Sequence, residues 1–312
     1  MPDNPRTLAV MRVLNEVVSG LAGGQSQGPT PSARLGLVWL LVLLPLAPPP
    51  LAGAESSSPL YERVQEVLER IEESPLDEPI VVQSTDDDSR IEGEVAARID
   101  QPFAAVAELV GSVEAWCQLA FLHINIKACT HNETSLRLYA GRKHFETPEE
   151  ASALDLEFQV KDQSDDLLAV VLRGDEGPHG THDFMMGLVA VPLDEETTLL
   201  EMQYSLGIGT AARMAMELYL STMGRHRIGF TRDDEGEFIG GLQGVIERNV
   251  MRFYLALQAL LDTRDKPQEE RLEARLKRWL ELTDRYAEQL RELDRETYLS
   301  QKTREWKEQQ DL

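Results

Sequence analysis

The sequence predicts an α+β fold in which a curved antiparallel sheet grips a long C-terminal helix, with an extra helix in front and a charged helix behind. Three observations carry this reading. Residues 91–99 and 154–160 alternate apolar and polar side chains, the period of a half-buried strand. About six strand-like segments follow one another between residues 124 and 206, separated by short turns rich in Gly, Pro, Asp and Glu. Residues 241–261 then place Leu242, Ile246, Asn249, Phe253, Leu257 and Leu260 on one helical stripe. Strands in one run with helices segregated from them indicate α+β.

Taken in order, residues 1–54 read as a signal peptide. Arg34 precedes an uncharged run over 35–46, too short to cross a bilayer at roughly 20 residues per span. Pro48, Pro49 and Pro50 break it, and Ala52-Gly53-Ala54 forms a small-residue cleavage site. The expectation is an exported, periplasmic protein with no membrane span after cleavage; an uncleaved anchor is the alternative. The 33 residues ahead of Arg34 are long for an n-region, as if the start codon lay downstream.

Residues 55–89 read as an N-terminal helix and linker. Ser58-Pro59 is a helix start, and Leu60, Tyr61, Val64, Val67, Leu68 and Ile71 recur at three and four residue steps until Ser74-Pro75. Ile80-Val81-Val82 is a candidate short strand. The main domain is placed at 90–262: a strand at 91–99, helices from Pro102 to Val110 and over 113–120, strands at 124–129, 134–139, 154–160, 167–172, 183–191 and 199–206, and helices at 210–223 and 241–261.

Charge narrows the function. The chain holds 31 Lys+Arg against 54 Asp+Glu, a net of −23. Phosphate binding depends on cationic side chains, which argues against a nucleic-acid partner. The tail over 263–312 is nearly neutral, so the acidity lies in the body and serves solubility.

The segment Arg98-Ile99-Asp100-Gln101-Pro102-Phe103, with Val106 and then Trp116, resembles the opening of the START-like superfamily, also called SRPBCC or helix-grip. There a first strand ends, a Pro begins the first helix and a Trp ends the helical pair. The resemblance covers about residues 90–262, and the helix at 210–223 departs from it; the chain also resembles a group of uncharacterised exported bacterial proteins of this type. It implies a cavity between sheet and long helix that holds lipids, sterols or polyketides, sometimes with ring-closing or hydrolytic chemistry. It implies no shared catalytic residue.

Candidate site residues follow. Phe184, Met186, Met202, Tyr204, Asn249 and Phe253 are expected to line the cavity, within a stretch (185–251) holding every Met outside the leader. Two basic islands, Arg142-Lys143-His144 and Arg225-His226-Arg227, interrupt the acidic body and are candidates for framing an anionic headgroup through Arg142, Lys143, Arg225 and Arg227. Cys117 and Cys129, the only cysteines in a chain expected to be exported, are read as a disulfide, with two separately buried thiols as the alternative. His179-Gly-Thr-His182 reads as a polar turn, and neither a metal nor a cofactor is expected. No G-x-S-x-G, S-x-x-K, P-loop or G-x-G-x-x-G occurs.

The expected function is non-catalytic periplasmic binding of a hydrophobic small molecule or lipid. A cyclase or hydrolase using the same cavity, and an interaction module with no ligand, are the alternatives. In the tail, Leu272, Leu276, Trp279, Thr283, Tyr286, Leu290, Leu293 and Thr297 follow at alternating four and three residue steps, predicting one amphipathic helix with a narrow seam. Docking on its own chain ranks ahead of homodimerisation. On this reading the tail is an accessory partner surface, and deleting 268–312 leaves a folded, ligand-competent body.

Overall fold

The computed structural model describes residues 59–87 and 89–312. The expected signal peptide at 1–54 lies outside the described residues. The compact unit considered below is Val64–Leu312.

Its sheet has eight antiparallel strands: β1 (Ile80–Asp86), β2 (Arg90–Ile99), β3 (Ile126–His131), β4 (Ser135–Ala140), β5 (Ser152–Gln163), β6 (Leu168–Glu176), β7 (Thr181–Pro192) and β8 (Thr198–Ile208). The spatial order is β1-β2-β8-β7-β6-β5-β4-β3. The chain therefore leaves β2, crosses to the far edge at β3, and returns strand by strand until β8 pairs with β2. Bulges at Ile126/Ala128, Val160/Asp162 and His182/Met185 bend their strands, as an extra unpaired residue does.

Helices fill the remaining chain: α1 (Pro59–Glu72), α2 (Phe103–Val110), α3 (Val113–Leu122), α4 (Thr210–Ser221), α5 (Gly241–Asp262), α6 (Gln268–Asp284), α7 (Ala287–Leu290) and α8 (Arg295–Gln309). The long α5 packs on β1, β2 and β8 with one side and on α3 and α6 with others, so Val250, Leu255, Ala256 and Leu260 are fully buried. On β2 the alternation Ile91, Val95, Ala97, Ile99 faces this core. Gly93 completes the row where the helix comes closest: a Cβ there would meet Ile246 Cγ1 at 3.2 Å. The helix enters through Gly244, whose missing Cβ leaves room for the backbone of Arg227, Gly229 and Ile239 at 2.9 to 3.1 Å.

Two differences from the sequence reading concern the ends. First, the linker expected at 55–89 carries a full strand. β1 pairs with β2 from Ile80↔Ala97 to Asp86↔Ile91 and extends the sheet by one strand. It continues the short strand expected at Ile80-Val81-Val82 through the polar Gln83-Ser84-Thr85, which an edge strand tolerates.

Second, the tail is charged and helical, but it is three helices and not one. Asp294 starts α8 by accepting the Thr297 backbone N–H at 2.9 Å, a capping signal inside the supposed heptads. The apolar face is broad and covered by the chain itself: Leu276, Trp279, Leu280, Leu282, Leu290 and Tyr298 are buried. Trp279 donates its indole N–H to the Arg252 carbonyl (3.1 Å), and Tyr298 donates its hydroxyl to the Leu122 carbonyl (2.8 Å). Lys127 and Lys302 share the Glu305 carboxylate at 2.9 and 2.7 Å, all three side chains fully or nearly fully buried. The tail therefore belongs to the packed unit, because it meets α3, α5 and β3 of its own chain.

Cys117 on α3 and Cys129 on β3 form a disulfide, with their Cα atoms 5.4 Å apart. It ties the helical pair to the sheet edge.

Candidate functional site

β7, β8 and α5 place side chains between sheet and helix by simple periodicity. Met186 faces Tyr204 and Leu188 faces Met202 across the β7–β8 ladder, with the partners of each pair side by side. Phe184 meets Tyr204 edge to face at 5.0 Å, Tyr204 lies 5.9 Å from Phe253, and Phe253 stacks on His123 at 5.1 Å. Four rings thus form one row from β7 to the end of α3. Met186 and Met202 are buried beside it, whereas Phe184 and Asn249 are half-buried.

His123 was not singled out as a site residue from sequence. It is a lone histidine in an apolar run, and its partners lie far along the chain. It follows α3 directly and is 5% exposed. Its Nδ1 accepts the Asn125 backbone N–H at 3.2 Å, which assigns the ring proton to Nε2. Nε2 is buried and makes no full hydrogen bond, with the Asn249 side chain beside it. Burial, then the Arg252 guanidinium, pushes the imidazole down to about 3, although Glu292 and the Asn249 side chain favour its charged form. It is therefore neutral near pH 7, a donor and a very weak base. Burial likewise raises the Tyr204 hydroxyl, so it keeps its proton.

This arrangement suits binding more than proton transfer. Met186, Met202, Tyr204 and Phe253 belong to the buried hydrophobic core with Phe184 packed against it, and His123 Nε2–H, with Asn249 beside it, is a fixed polar point next to them. Among the described residues no group of three or more His, Cys, Asp or Glu side chains is placed to hold a metal ion.

Half of the basic residues proposed for a headgroup come together. Lys143, on the β4–β5 connection, contacts Glu292, and so do Arg248 and Arg252 of α5. Arg227 acts electrostatically on both arginines of α5. Arg142 instead turns outward, 81% exposed beside Glu146, and Arg225 is exposed. Arg248 and Arg252 escaped sequence reading because, one turn apart on a buried helix, they resemble a solvated charged stripe.

No family model matches the chain, and no curated protein does. Among solved structures it is similar to a START superfamily protein from Mycobacterium smegmatis, at 15% identity and TM-score 0.29 over 47% of this chain and 92% of that one. An aromatase/cyclase from Streptomyces sp. R1128 aligns at 14% identity and TM-score 0.29 over 63% and 96%. Norcoclaurine synthase from Thalictrum flavum, in complex with dopamine and hydroxybenzaldehyde, aligns at 12% identity and TM-score 0.31 over 47% and 81%. At such scores topology has to carry the assignment: a strand, two helices, six antiparallel strands returning to the first, and a long helix against their inner face. That strand order and that helix give this chain a helix-grip architecture, an antiparallel sheet packed against one long helix.

Proposed function

We propose that the protein binds an apolar or lipid-like small molecule, non-covalently and without chemistry, between the sheet and α5 after export to the periplasm. One observation supports this most: the row Phe184–Tyr204–Phe253–His123 ends in a buried imidazole N–H that makes no full hydrogen bond, with the Asn249 side chain beside it. An unsatisfied buried donor costs about 1–3 kcal/mol, and a ligand oxygen seated at Nε2 relieves that cost. The disulfide fits an oxidising compartment.

The test is mass spectrometry of organic extracts from protein purified natively from periplasm, beside His123→Phe prepared identically. A discrete compound in the wild-type extract, depleted in the variant, is expected. Empty extracts from both, together with no uptake of added lipids, contradict the reading.

A further inference from the structure

The β4–β5 connection, the β6–β7 turn and the β8–α5 connection all leave the sheet at one end: Ala140 pairs with Ser152, Glu176 with His182, and Arg90 with Gly207. Ile126, just beyond His123, pairs with Ala140 at the same end. This end carries an unusual charge cluster. Lys143 comes from the β4–β5 connection, Arg227 from the β8–α5 connection, and Arg248 and Arg252 from α5. Lys143, Arg248 and Arg252 all contact one carboxylate, Glu292.

Arg252 donates to Glu292 Oε1 at 2.6 Å and Arg248 shares the same oxygen, while Lys143 reaches Oε2. The carboxylate does not saturate them. Arg252 is 3% exposed, yet its Nε has no acceptor, and the Arg227 Nε is also buried without one. Three cations in contact with one carboxylate leave two positive charges in excess among these groups, inside a chain of net charge −23. Burial and then, against the pull of Glu292, the neighbouring Arg248 and Arg227 push the Arg252 guanidinium down to about 10. Burial alone raises the Glu292 carboxyl, but Arg252, Lys143 and Arg248 together hold it well below the usual carboxylate range. Its net charge is positive, and Arg252 Nε, Arg227 Nε and Glu292 Oε2 all lie buried without a full hydrogen bond.

The missing charge has a direction. Arg252 adjoins Phe253 on α5, and His123, stacked on Phe253, feels both Arg252 and Glu292. The cluster therefore sits at the His123 end of the aromatic row. Lys143, 37% exposed at its side chain, gives it an edge on solvent. Glu292 comes from the short non-helical link between α7 and α8, so withdrawing it requires no helix to unwind.

The geometry points to a binding site for the anionic head of the interior ligand, a carboxylate or phosphate monoester, with Glu292 as the built-in occupant that the head displaces. This rests on the interior binding proposed above, and it narrows the ligand to an anionic amphiphile whose apolar body follows Phe253, Tyr204 and Phe184.

The experiment titrates the full chain with palmitate, hexadecyl phosphate, hexadecanol and inorganic phosphate, following displacement of Nile red and the melting temperature. Hydrogen bonds to charged groups translate into roughly tenfold tighter binding of palmitate than of hexadecanol. Glu292→Gln is expected to lower the melting temperature of the free protein and to tighten palmitate by about tenfold while leaving hexadecanol unchanged. Lys143→Met, at a half-exposed position that leaves the buried core intact, is expected to weaken palmitate selectively and decides the matter if Glu292→Gln does not fold. Equal binding of acid and alcohol in wild type and variants overturns the anionic-head site while leaving interior binding in place. Stabilisation by inorganic phosphate equal to that by hexadecyl phosphate overturns the amphiphile in favour of a free anion. Absence of binding by every amphiphile overturns both proposals.

Discussion

Replacing Glu305 by Gln removes the carboxylate that two buried ammonium groups share. Lys127 retains the Ile124 carbonyl at 3.0 Å; Lys302 retains the Ile126 carbonyl at 2.6 Å and lies 3.9 Å from the centre of the Phe121 ring. Both side chains are at most 2% exposed, so neither reaches water to recover its lost solvation. Removing one partner from a buried ion pair costs about 3–5 kcal/mol, a large share of the roughly 5–15 kcal/mol that holds a domain folded. Burial, opposed by Glu305, already pushes Lys302 down to about 8 from its ordinary 10.5. Because the unfolded chain holds this proton more tightly, it binds more protons between those two values. Stability from this group therefore rises with pH across that window, by about 3 kcal/mol in all. Urea unfolding followed by far-UV circular dichroism at pH 7 and pH 10 measures both effects. Glu305→Gln should lose about 3–5 kcal/mol at pH 7 and regain part of it at pH 10 as Lys302 deprotonates. Replacing the triad together, by Lys127→Met, Lys302→Met and Glu305→Leu, should fall near wild type, because no charge is then stranded. A loss under about 1 kcal/mol at pH 7, or stability of the variant falling toward pH 10, refutes the reasoning.

Cys117 and Cys129 should resist alkylation until reduced, and Cys117→Ser should cost about 3 kcal/mol, the value for closing so short a loop, read as a lower melting temperature. Deleting residues 268–312 should leave an aggregating, molten body by near-UV circular dichroism, since it uncovers the surfaces against which Trp279 and Tyr298 pack; a cooperative melt would restore the tail to accessory status. Gly93→Val should destabilise by about 1–3 kcal/mol in chemical denaturation, because Ile246 of α5 occupies the space a side chain needs; a neutral effect would mean that sheet and helix separate easily.

What was legible in the sequence was what repeats at short range. β2, β5 and α5 each bury one face against one neighbour, so period two or a helical stripe reports them directly. The inward placement of Met186, Met202, Tyr204 and Phe253 followed from the same periodicities once the strands and α5 were placed. His123, Arg248 and Arg252 did not, because their meaning comes from pairings across forty residues or more that no period encodes. The tail was misread for a related reason. A strict heptad seam describes a helix meeting one partner, whereas this segment meets α3, α5 and β3 and breaks twice to do so. Its three-helix form was announced only by Asp294 and Thr297, a cap easily passed over among so many charged residues.

Titration with Nile red, a neutral apolar fluorophore, of wild type beside Asn249→Trp tests the proposed interior binding most directly, since Asn249 sits half-buried on α5 beside His123, where an indole would compete with a ligand seated at that ring. The account expects saturable binding at one site in wild type and its loss in Asn249→Trp, with the far-UV circular dichroism and melting of the variant preserved. Saturable binding of equal affinity in both proteins, or none in wild type, contradicts it.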